Sequence, residues 1–363
     1  MMNFLSRLKD LKAYKTETTP CKVRLSSNES PFDLSEDLKE KISEKIKDIN
    51  FQKYPDPTQR ELKEIIADFI RETEKVDISA ENLVLGNGSD ELIHLLISVV
   101  GDIDQPIIYP VPTFPMYQVS ADVIGRPKVE FYLNSSFDIN ISDLEMALYE
   151  NPQLALFASP NNPTGNSFNP EAIKLTIDKS IFTVIDEAYI HFSNKKSFIE
   201  YALNSDNVVV LRTMSKIGLA SIRLGYLIAK REVAQLLDKA RMPFNITYPT
   251  QVVAKIVLTE GRKEIINQIE FVKSERERVL SQLKKIEKLK VYPSDANFYL
   301  IKVPDADKVH RMLIEKGVLV RNMSHLPKME NCLRVSIGKT EENNTFLKAV
   351  EEVMEYFNFP LPS

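Results

Sequence analysis

The sequence predicts an α/β fold with two domains: a large domain with a seven-stranded, mostly parallel sheet between helices, and a smaller α+β domain. Three observations support this prediction. The chain has 363 residues, which exceeds the usual size of a single core. Seven short apolar runs alternate with helix-length segments over residues 82–229. Beyond residues 241–243 the sequence becomes predominantly helical, which indicates a second body.

Two amphipathic helices are predicted ahead of the sheet. Apolar residues recur at helical spacing over residues 34–49 and again over residues 62–69. Thr58 is expected to cap the second helix, because its hydroxyl can accept a hydrogen bond from a free backbone amide. Residues 1–33 are expected to form an N-terminal arm that joins the smaller domain.

The large domain, residues 34–245, is predicted to contain seven short strands. Apolar runs of this length also occur inside helices, but their β-branched content and the Pro, Asn and Gly residues that bound them favour strands. The runs are Asn82–Leu85, Pro106–Tyr109, Lys128–Tyr132, Gln153–Ala158, Ile181–Ile185, Val208–Leu211 and Leu224–Ala229. Helix-length spacers between them predict mostly parallel pairing, with helices on both faces.

The smaller domain, residues 246–363, is predicted to combine helices with short strands. The helix after Gly261 is long enough to join the two domains. The expected elements, in order, are helices near Pro249–Thr259 and Arg262–Ile286, strands near Asn297–Val303, Gly317–Arg321 and Cys332–Ile337, and a helix near Thr340–Tyr356.

Composition argues against several classes of function. With 43% hydrophobic and 27% charged residues the chain has the composition of a globular enzyme, and its net charge of −4 does not attract nucleic acid. The sequence has neither the apolar stretch of a signal peptide nor a run as long as a membrane helix. The two cysteines and four histidines are not spaced as metal ligands. We therefore expect a cytoplasmic protein without a metal, a membrane contact or a nucleic-acid partner.

Lys216, which follows the predicted strand Val208–Leu211, is the residue on which the functional prediction depends. An amine held at a strand end can lose enough charge to attack an aldehyde. Thr213, Ser215 and Arg223 flank it, and hydroxyl and guanidinium groups suit a phosphate. Pyridoxal 5'-phosphate carries both an aldehyde and a phosphate. The segment therefore predicts a site for that cofactor.

Asp186 directly follows the predicted strand Ile181–Ile185, and Tyr189 lies three residues further on. A carboxylate beside the pyridine nitrogen of this cofactor keeps the nitrogen protonated, so that the ring can accept electrons. Tyr189 could donate a hydrogen bond to the ring's phenolic oxygen. Taken alone, an acidic pair after a strand is more often a solvated helix start. Its place at a carboxyl strand end, where open α/β sheets bind ligands, favours the functional interpretation.

Other strand ends supply further candidates. Asn162 lies in a rigid Pro-rich turn, and its preorganised amide could donate to the same phenolic oxygen. Ser89 and Asp90 open a helix beside glycines, where free amides attract phosphate, although simple capping explains them equally well. Phe114 could stack on the cofactor ring, though an aromatic there is more commonly part of the core.

Three residues outside these turns are also candidates. Tyr54 lies in a Pro-rich turn, and an exposed aromatic there suits an interface between subunits. Arg321 and Arg334 are predicted at strand ends of the smaller domain, and two arginines there favour a substrate with a terminal anion. Taken alone, Arg321 is as readily a surface arginine. The two arginines do not distinguish a phosphate from a carboxylate.

As an ordered series, these motifs strongly resemble the fold type I pyridoxal phosphate enzymes, class I/II aminotransferase family, and within it the histidinol-phosphate aminotransferases. The similarity extends from Leu25–Pro31 to Leu333–Gly338, and the set is specific although each motif alone is weak. The resemblance implies the fold type I transferase fold and a homodimer. It also implies amino transfer between L-histidinol phosphate and 2-oxoglutarate, giving imidazole-acetol phosphate and L-glutamate.

The resemblance also implies a role at each position. Lys216 would bond covalently to the cofactor and move a proton, while Asp186 would pair with the pyridine nitrogen. Tyr189 and Asn162 would hold the phenolic oxygen. The groups implied around the cofactor phosphate are Ser89, Asp90, Thr213, Ser215, Arg223 and, from the second subunit, Tyr54. The implied substrate contacts are Asn28, Arg321 and Arg334, of which Arg334 would hold the anionic end.

The sequence departs from the family pattern in two places. Arg223 follows Lys216 by seven residues where many relatives have eight, which predicts a tighter loop. Residues 26–31 read Ser-Ser-Asn-Glu-Ser-Pro where an Asn-Glu-Asn-Pro form is usual, which concerns the fit of the substrate.

Two kinds of alternative stay open at this level. A threonine-phosphate decarboxylase or an aromatic amino acid aminotransferase would use the same cofactor residues, so that only the substrate pocket separates them. A cofactor-sensing regulator on the same fold would carry a DNA-reading domain. About thirty residues precede the predicted core, which is too few for a helix-turn-helix module, and we therefore expect an enzyme.

Overall fold

The computed structural model describes residues 11, 17 and 19–358. Its strands are β1 (Val23–Arg24), β2 (Leu83–Asn87), β3 (Ile107–Val111), β4 (Lys128–Tyr132), β5 (Leu154–Ala158), β6 (Phe182–Asp186), β7 (Val208–Thr213), β8 (Leu224–Ile228), β9 (Lys290–Val291), β10 (Phe298–Lys302), β11 (Val318–Leu319), β12 (Arg321–Asn322) and β13 (Cys332–Ser336). Its α-helices are α1 (Glu36–Lys47), α2 (Arg60–Glu74), α3 (Gly88–Val99), α4 (Met116–Ile124), α5 (Ile141–Leu148), α6 (Pro170–Asp178), α7 (Ile199–Asn204), α8 (Arg231–Asp238), α9 (Tyr248–Thr259), α10 (Arg262–Leu283), α11 (Ala306–Glu315) and α12 (Thr340–Asn358).

The predicted seven-stranded, mostly parallel sheet is confirmed. Its strand order is β2-β8-β7-β6-β5-β3-β4, and β8 alone runs antiparallel to its neighbours. The carboxyl ends of the other strands therefore share one edge of the sheet. Because β8 is reversed, its first residue, Leu224, pairs with Asn87 at the end of β2. Arg223 consequently lies at the same edge as the ends of the parallel strands.

Helices bury both faces of this sheet, as expected for parallel strands that are apolar along their length. Alternate residues of β7 separate onto the two faces. Val209 and Leu211 pack in a cluster with side chains of α3 and α4, while Val208 and Val210 pack on the opposite face, in the cluster that includes residues of α2. The second cluster continues into residues of β10 and β13, so apolar packing links the two sheets.

The C-terminal part contains a four-stranded antiparallel sheet with the order β12-β13-β10-β9. In the N-terminal arm, β1 pairs in parallel with β11, and the Ser336 amide donates to the Leu25 carbonyl at 2.9 Å. The described part of the arm thus contacts the C-terminal elements. The long helix α10 begins at Arg262, immediately after Gly261.

Two local predictions are wrong. Thr58 does not cap α2: its hydroxyl donates to Asp56 Oδ1 at 2.7 Å, and the residue at the N-cap is Gln59, with a left-handed φ of 54°. The aspartate two residues earlier competes successfully for the hydroxyl. The single strand expected near Gly317–Arg321 is divided at Val320, because β11 pairs with β1 whereas β12 pairs with β13.

Within residues 11, 17 and 19–358, no helix combines the length and the apolar character needed to cross a membrane. The same part of the chain contains no group of three or more His, Cys, Asp or Glu side chains placed to hold a metal ion.

Candidate active site

A cavity of about 280 Å³ lies at the carboxyl edge of the large sheet, where the smaller sheet and the N-terminal arm also reach it. Every site residue predicted from the sequence except Tyr54 lines it. These residues are Asn28, Ser89, Asp90, Phe114, Asn162, Asp186, Tyr189, Thr213, Ser215, Lys216, Arg223, Arg321 and Arg334. Side chains more than 300 residues apart in sequence thus meet in one space.

Lys216 lies in a short 3₁₀ helix, Met214–Ile217, that directly follows β7. Thr213 begins this turn, because its hydroxyl accepts from the Ser215 amide at 3.1 Å. Gly218 ends it with a φ of 103°, a conformation that glycine adopts without strain. The lysine is half-buried, and its Nζ lies 5.7 Å from the centre of the Tyr189 ring. The amine is therefore held inside the cavity at the end of a rigid strand.

Asp186 is the last residue of β6, and its carboxylate is buried. Oδ2 accepts from the Tyr117 hydroxyl at 3.0 Å and Oδ1 accepts from the Ala188 amide at 3.2 Å. Burial raises the pKa of Asp186 to about 6, although these two hydrogen bonds and the charge of Lys216 act in the opposite direction. A carboxyl in this state has a strong electrostatic preference for a cation beside it.

Asn28 fixes the hydroxyl of Tyr189. Its Nδ2 donates to Tyr189 Oη at 3.2 Å, and its own backbone is held by two partners from the C-terminal part. The Asn28 amide donates to Ser336 Oγ at 2.8 Å, and Asn297 Nδ2 donates to the Asn28 carbonyl at 3.0 Å. Asn28 has a φ of 55°, in the left-handed region that asparagine tolerates better than most residues. Asn28, which was predicted to contact the substrate, therefore also contacts Tyr189, which was predicted to contact the cofactor.

Asn162 is joined to Arg334 across the two sheets. Arg334 Nη1 donates to Asn162 Oδ1 at 2.6 Å, and Nη2 donates to the Ser26 carbonyl at 2.8 Å. The guanidinium also lies over the Phe298 ring, 5.5 Å from its centre. Because Oδ1 of Asn162 faces the arginine, its Nδ2 remains the donor atom of that amide. The two arginines predicted to bind substrate are neighbours, since Arg321 and Arg334 pair in register between β12 and β13.

A second group of polar side chains surrounds the start of α3. Arg223 donates to Ser215 Oγ at 3.2 Å and to Asp90 Oδ2 at 2.9 Å, and Thr213 Oγ1 donates to Ser215 Oγ at 3.0 Å. Ser89 is buried in the first turn of the helix. Gly88 is needed here, because a Cβ on it would lie 2.5 Å from Arg223 Nη2. The arrangement presents hydroxyls, a guanidinium and a helix N-terminus together, which is suited to an anion.

The shorter spacing between Lys216 and Arg223 does not prevent their meeting in the cavity. Two successive 3₁₀ helices, Met214–Ile217 and Ala220–Ile222, compress the connection. Arg223 then adopts a φ of 51° before β8 begins. The predicted tighter loop is therefore accommodated by 3₁₀ turns, and Arg223 still contacts Ser215.

Tyr54 is the one predicted site residue that lies outside the cavity. Its side chain is 80% exposed and stacks on Phe244, with 4.5 Å between the ring centres and 20° between the planes. Phe114 does line the cavity. Its ring makes a T-shaped contact with the Tyr117 ring, with 5.9 Å between the ring centres.

Comparison with known proteins identifies the family. The sequence profile for "Aminotransferase class I and II" matches residues 20–350. The chain belongs to this aminotransferase family. It is 50% identical over 348 residues to the histidinol-phosphate aminotransferase of Aquifex aeolicus (strain VF5), with 95% of this chain and 96% of the relative covered. A second relative, the histidinol-phosphate aminotransferase of Hydrogenobaculum sp. (strain Y04AAS1), is 46% identical over 97% of this chain and 99% of its own.

A solved structure supports the fold of this aminotransferase. The histidinol-phosphate aminotransferase from Clostridium acetobutylicum superposes with a TM-score of 0.80 at 26% identity, over 92% of this chain and 99% of that one. The expected fold type I transferase architecture is thereby confirmed.

Several residues of the aminotransferase site were not predicted from the sequence. Tyr117 contacts Asp186 from α4, and Glu17, Ser26, Ser27 and Glu29 bring the arm into the cavity wall. Tyr117 follows Phe114 by three residues, so the start of a helix after that strand was the available signal. The arm carries no periodic pattern that indicates its path. The resemblance implied Asn28 as a site residue, and the contacts of the arm with the C-terminal elements bring its neighbours there too.

Proposed function

We propose that this aminotransferase transfers the amino group between L-histidinol phosphate and 2-oxoglutarate, giving imidazole-acetol phosphate and L-glutamate, in the biosynthesis of histidine. The observation that carries the proposal is the 50% identity to a histidinol-phosphate aminotransferase over nearly the full length of both chains. The site favours the same conclusion, because an amine, a buried acid, an anion-binding group and an arginine pair line one cavity.

The residues present fit pyridoxal 5'-phosphate. Asp186 is a buried carboxyl with a raised pKa, and a protonated pyridine nitrogen is the cation that would relieve its burial. Ser89, Ser215 and Arg223 form the anion-binding group at the start of α3. The Arg223 guanidinium occupies the space where a Cβ on residue 88 would lie, so a glycine at this position allows the guanidinium to stay beside Ser215. We therefore assign the cofactor to this cavity.

When bound, the cofactor would supply an aldehyde carbon that accepts the amino group and a ring that accepts electrons from the substrate. Lys216 would hold the cofactor and then move a proton at the substrate's α-carbon through its Nζ. Asp186 would hold a proton on the ring nitrogen. The Tyr189 hydroxyl and Asn162 Nδ2 would donate to the ring's phenolic oxygen. Thr213 and Asp90 would position Ser215 and Arg223 at the phosphate.

Arg334 and Arg321 would bind the anionic end of the substrate. Both project from the smaller sheet into the cavity, whereas Arg223 comes from the larger one. Arg334 is pre-positioned by its hydrogen bonds to Asn162 and to the Ser26 carbonyl, so little side-chain freedom is lost on binding. The link from Arg334 to Asn162 would couple recognition of the substrate anion to the group that holds the cofactor. Asn28 would line the substrate side of the cavity.

The decisive experiment compares half-reactions of the purified protein loaded with pyridoxal phosphate. Histidinol phosphate should discharge the absorbance of the bound cofactor, and phenylalanine or phosphothreonine should do so at least tenfold more slowly. The Lys216→Ala variant should lose roughly 10² to 10⁴ in rate, while Lys230→Ala, at a surface salt bridge with Asp206, should retain it. Release of carbon dioxide from phosphothreonine without 2-oxoglutarate would instead identify a decarboxylase.

We also propose a homodimer in which Tyr54 reaches the cofactor phosphate of the second subunit. Tyr54 and Phe51 are both strongly exposed on the described chain, and Tyr54 is held by its stack on Phe244. An aromatic held rigidly at the surface is suited to an interface.

Mixed dimers test whether Tyr54 acts across subunits. Lys216→Ala and Tyr54→Ala chains are each expected to be impaired. After refolding together, a mixed dimer has one site with both intact residues only if Tyr54 belongs to the opposite subunit's site. Recovered activity is the expected result, with no recovery if Tyr54 serves its own chain. A monomer by sedimentation would contradict the homodimer directly.

Two proposals on organisation accompany this function. We propose that the chain divides into an arm (1–33), a large domain (34–245) and a small domain (246–363), since the seven-stranded sheet ends at Ile228 and the four-stranded sheet begins at Lys290. We also propose that the enzyme acts in the cytoplasm, where a biosynthetic aminotransferase would find its substrates.

A further inference from the structure

Arg212 is the largest fully buried side chain among the described residues, and it does not line the active-site cavity. It lies in β7 immediately before Thr213. A buried guanidinium is costly unless its donors are satisfied, because it loses its hydration on folding. Its position next to the site residues therefore requires an explanation.

Two carboxylates receive the Arg212 donors. Nε and Nη2 donate to Glu187 Oε2 at 3.1 and 2.9 Å, and Nη2 also donates to Glu74 Oε2 at 2.9 Å. Nη1 forms a further short contact with the Glu74 carboxylate. Glu187 accepts in addition from the Phe198 amide and the Ser197 hydroxyl, each at 2.7 Å. We call Glu74, Arg212 and Glu187 the buried ion triad after Arg212 and Glu187, which are buried, whereas Glu74 keeps 22% of its side chain exposed.

The triad adjoins the cofactor residues through the strand pairing. Asp186 pairs with Leu211 between β6 and β7, and the Glu187 amide donates to the Leu211 carbonyl at 2.8 Å. Side chains alternate between the faces of a sheet. Asp186 therefore contacts Tyr117 on one face, while Glu187 and Arg212 meet on the opposite face, against α2.

Three separate parts of the chain are joined at this point. Glu74 is the last residue of α2, Glu187 lies between Asp186 and Tyr189, and Arg212 precedes the turn that carries Lys216. His191 and Tyr226 also interact electrostatically with the guanidinium. An apolar cluster could bury this space at similar stability. A guanidinium fork differs from it in fixing the direction of each partner.

We infer that Arg212 is a positioning residue for the aminotransferase reaction, holding the ends of β6 and β7 in the register that sets Asp186 opposite Lys216. This inference rests on the proposed function, which identifies the group between Asp186 and Lys216 as pyridoxal phosphate. It assigns Arg212 no contact with substrate or cofactor. Displacement of a reacting group by about 1 Å from a distance can cost about 10² in rate.

The test compares Arg212→Met with Arg126→Met. Arg126 is a matched control, because it is also buried but donates to the carbonyls of Gln105 and Ile97, away from the cavity. Arg212→Met is expected to lower kcat by 10- to 100-fold with little change in KM. It should also weaken pyridoxal phosphate binding to the apoenzyme and move the pH midpoint of the bound cofactor's absorbance. Arg126→Met should lower Tm by a similar amount, but it should leave cofactor binding and the pH midpoint of the absorbance unchanged.

Other variants keep the inference testable if Arg212→Met does not fold. Arg212→Lys retains a charge without the fork and should give the same shift of the absorbance midpoint, and Glu187→Gln should shift it too. The inference is overturned if these variants change only Tm and match Arg126→Met in every other readout. Failure of the proposed function would be seen in a different result: the wild-type protein would bind the cofactor but would not transaminate. The absorbance comparison between the Arg212 and Arg126 variants could still be made in that case.

Discussion

The hydroxyl of Tyr117 donates a hydrogen bond of 3.0 Å to the buried carboxylate of Asp186, and this contact joins α4 to the end of β6. Tyr117 itself is fully buried, so the bond is shielded from solvent. The hydrogen bond favours the ionised form of Asp186 and opposes the effect of burial on its pKa. Tyr117 therefore helps to keep the acid able to accept a cation beside it.

Removal of this bond should raise the pKa of Asp186 above about 6. A hydrogen bond to a charged group contributes about 1.5–3 kcal/mol, so the Tyr117→Phe substitution should raise this pKa by about one to two pH units. As the pH is lowered, binding of pyridoxal phosphate to the apoenzyme should therefore begin to weaken at a higher pH in the variant than in wild type. Tyr109→Phe is the control, since buried Tyr109 donates to Glu130 at 2.8 Å outside the cavity. An identical pH profile for both variants would contradict the prediction.

Asp186→Asn should stabilise the apoprotein while abolishing most activity. The folded state holds the Asp186 proton more tightly than the unfolded state, because burial raises the pKa from 3.8 to about 6. This residue's contribution to stability therefore falls as pH rises between about 4 and 6. At pH 8 the asparagine variant should be more stable by on the order of 3 kcal/mol. Thermal melts of both apoproteins from pH 4 to 8 check this, and a pH-independent difference in Tm would contradict it.

Gly88→Ala should weaken cofactor binding beyond the effect of backbone strain. Gly88 has a φ of 75°, and an added Cβ would lie 2.5 Å from Arg223 Nη2, displacing the guanidinium from Ser215. We expect at least a tenfold rise in the Kd for pyridoxal phosphate, measured by titration of the apoenzyme. Gly317→Ala is the matched control, because its φ is 79° and its nearest neighbour would be Lys22 Cβ at 3.9 Å. It should lose about 1–2 kcal/mol of stability and keep its cofactor affinity.

Arg334→Lys should raise the KM for glutamate by about 10- to 100-fold, because a lysine cannot make the paired hydrogen bonds that a carboxylate receives from a guanidinium. It also loses the two contacts that hold Arg334 at Asn162 and at the Ser26 carbonyl. Steady-state kinetics with histidinol phosphate and with glutamate provide the measurement. Arg231→Lys, at an exposed salt bridge with Glu81 outside the cavity, is the control and should behave as wild type. A fall in kcat with unchanged KM for both substrates would assign Arg334 another role.

Much of the large sheet could be predicted because its strands are short, apolar and bounded by turn residues. The predicted run Lys128–Tyr132 coincides with β4, and the run at Leu224 corresponds to β8. Each local pattern is complete within a few residues, so no distant contact is needed to recognise it. The direction of β8 could not be predicted in this way. It depends on which neighbours the strand pairs with, and reversal is what brings Arg223 to the cavity.

The N-cap of α2 is a case in which a local sequence pattern predicts the wrong residue. Thr58 has the correct residue type and spacing, yet its hydroxyl binds Asp56 and the helix begins after Gln59. The Gln59 side chain instead donates to Asn245 at 2.8 Å, a partner 186 residues away. Competition between near-equal hydrogen-bond partners is decided by such tertiary contacts.

The sequence alone determined the residue types that carry the proposed chemistry and the strand ends on which Asp186, Asn162 and Lys216 lie. These features follow from short-range patterns, since a strand end and the turn after it are adjacent in the chain. Only the tertiary structure decided that Asn28, Tyr117 and the buried ion triad support those residues. Their partners are distant in sequence, and the packing of the whole chain is what brings the atoms within hydrogen-bond distance.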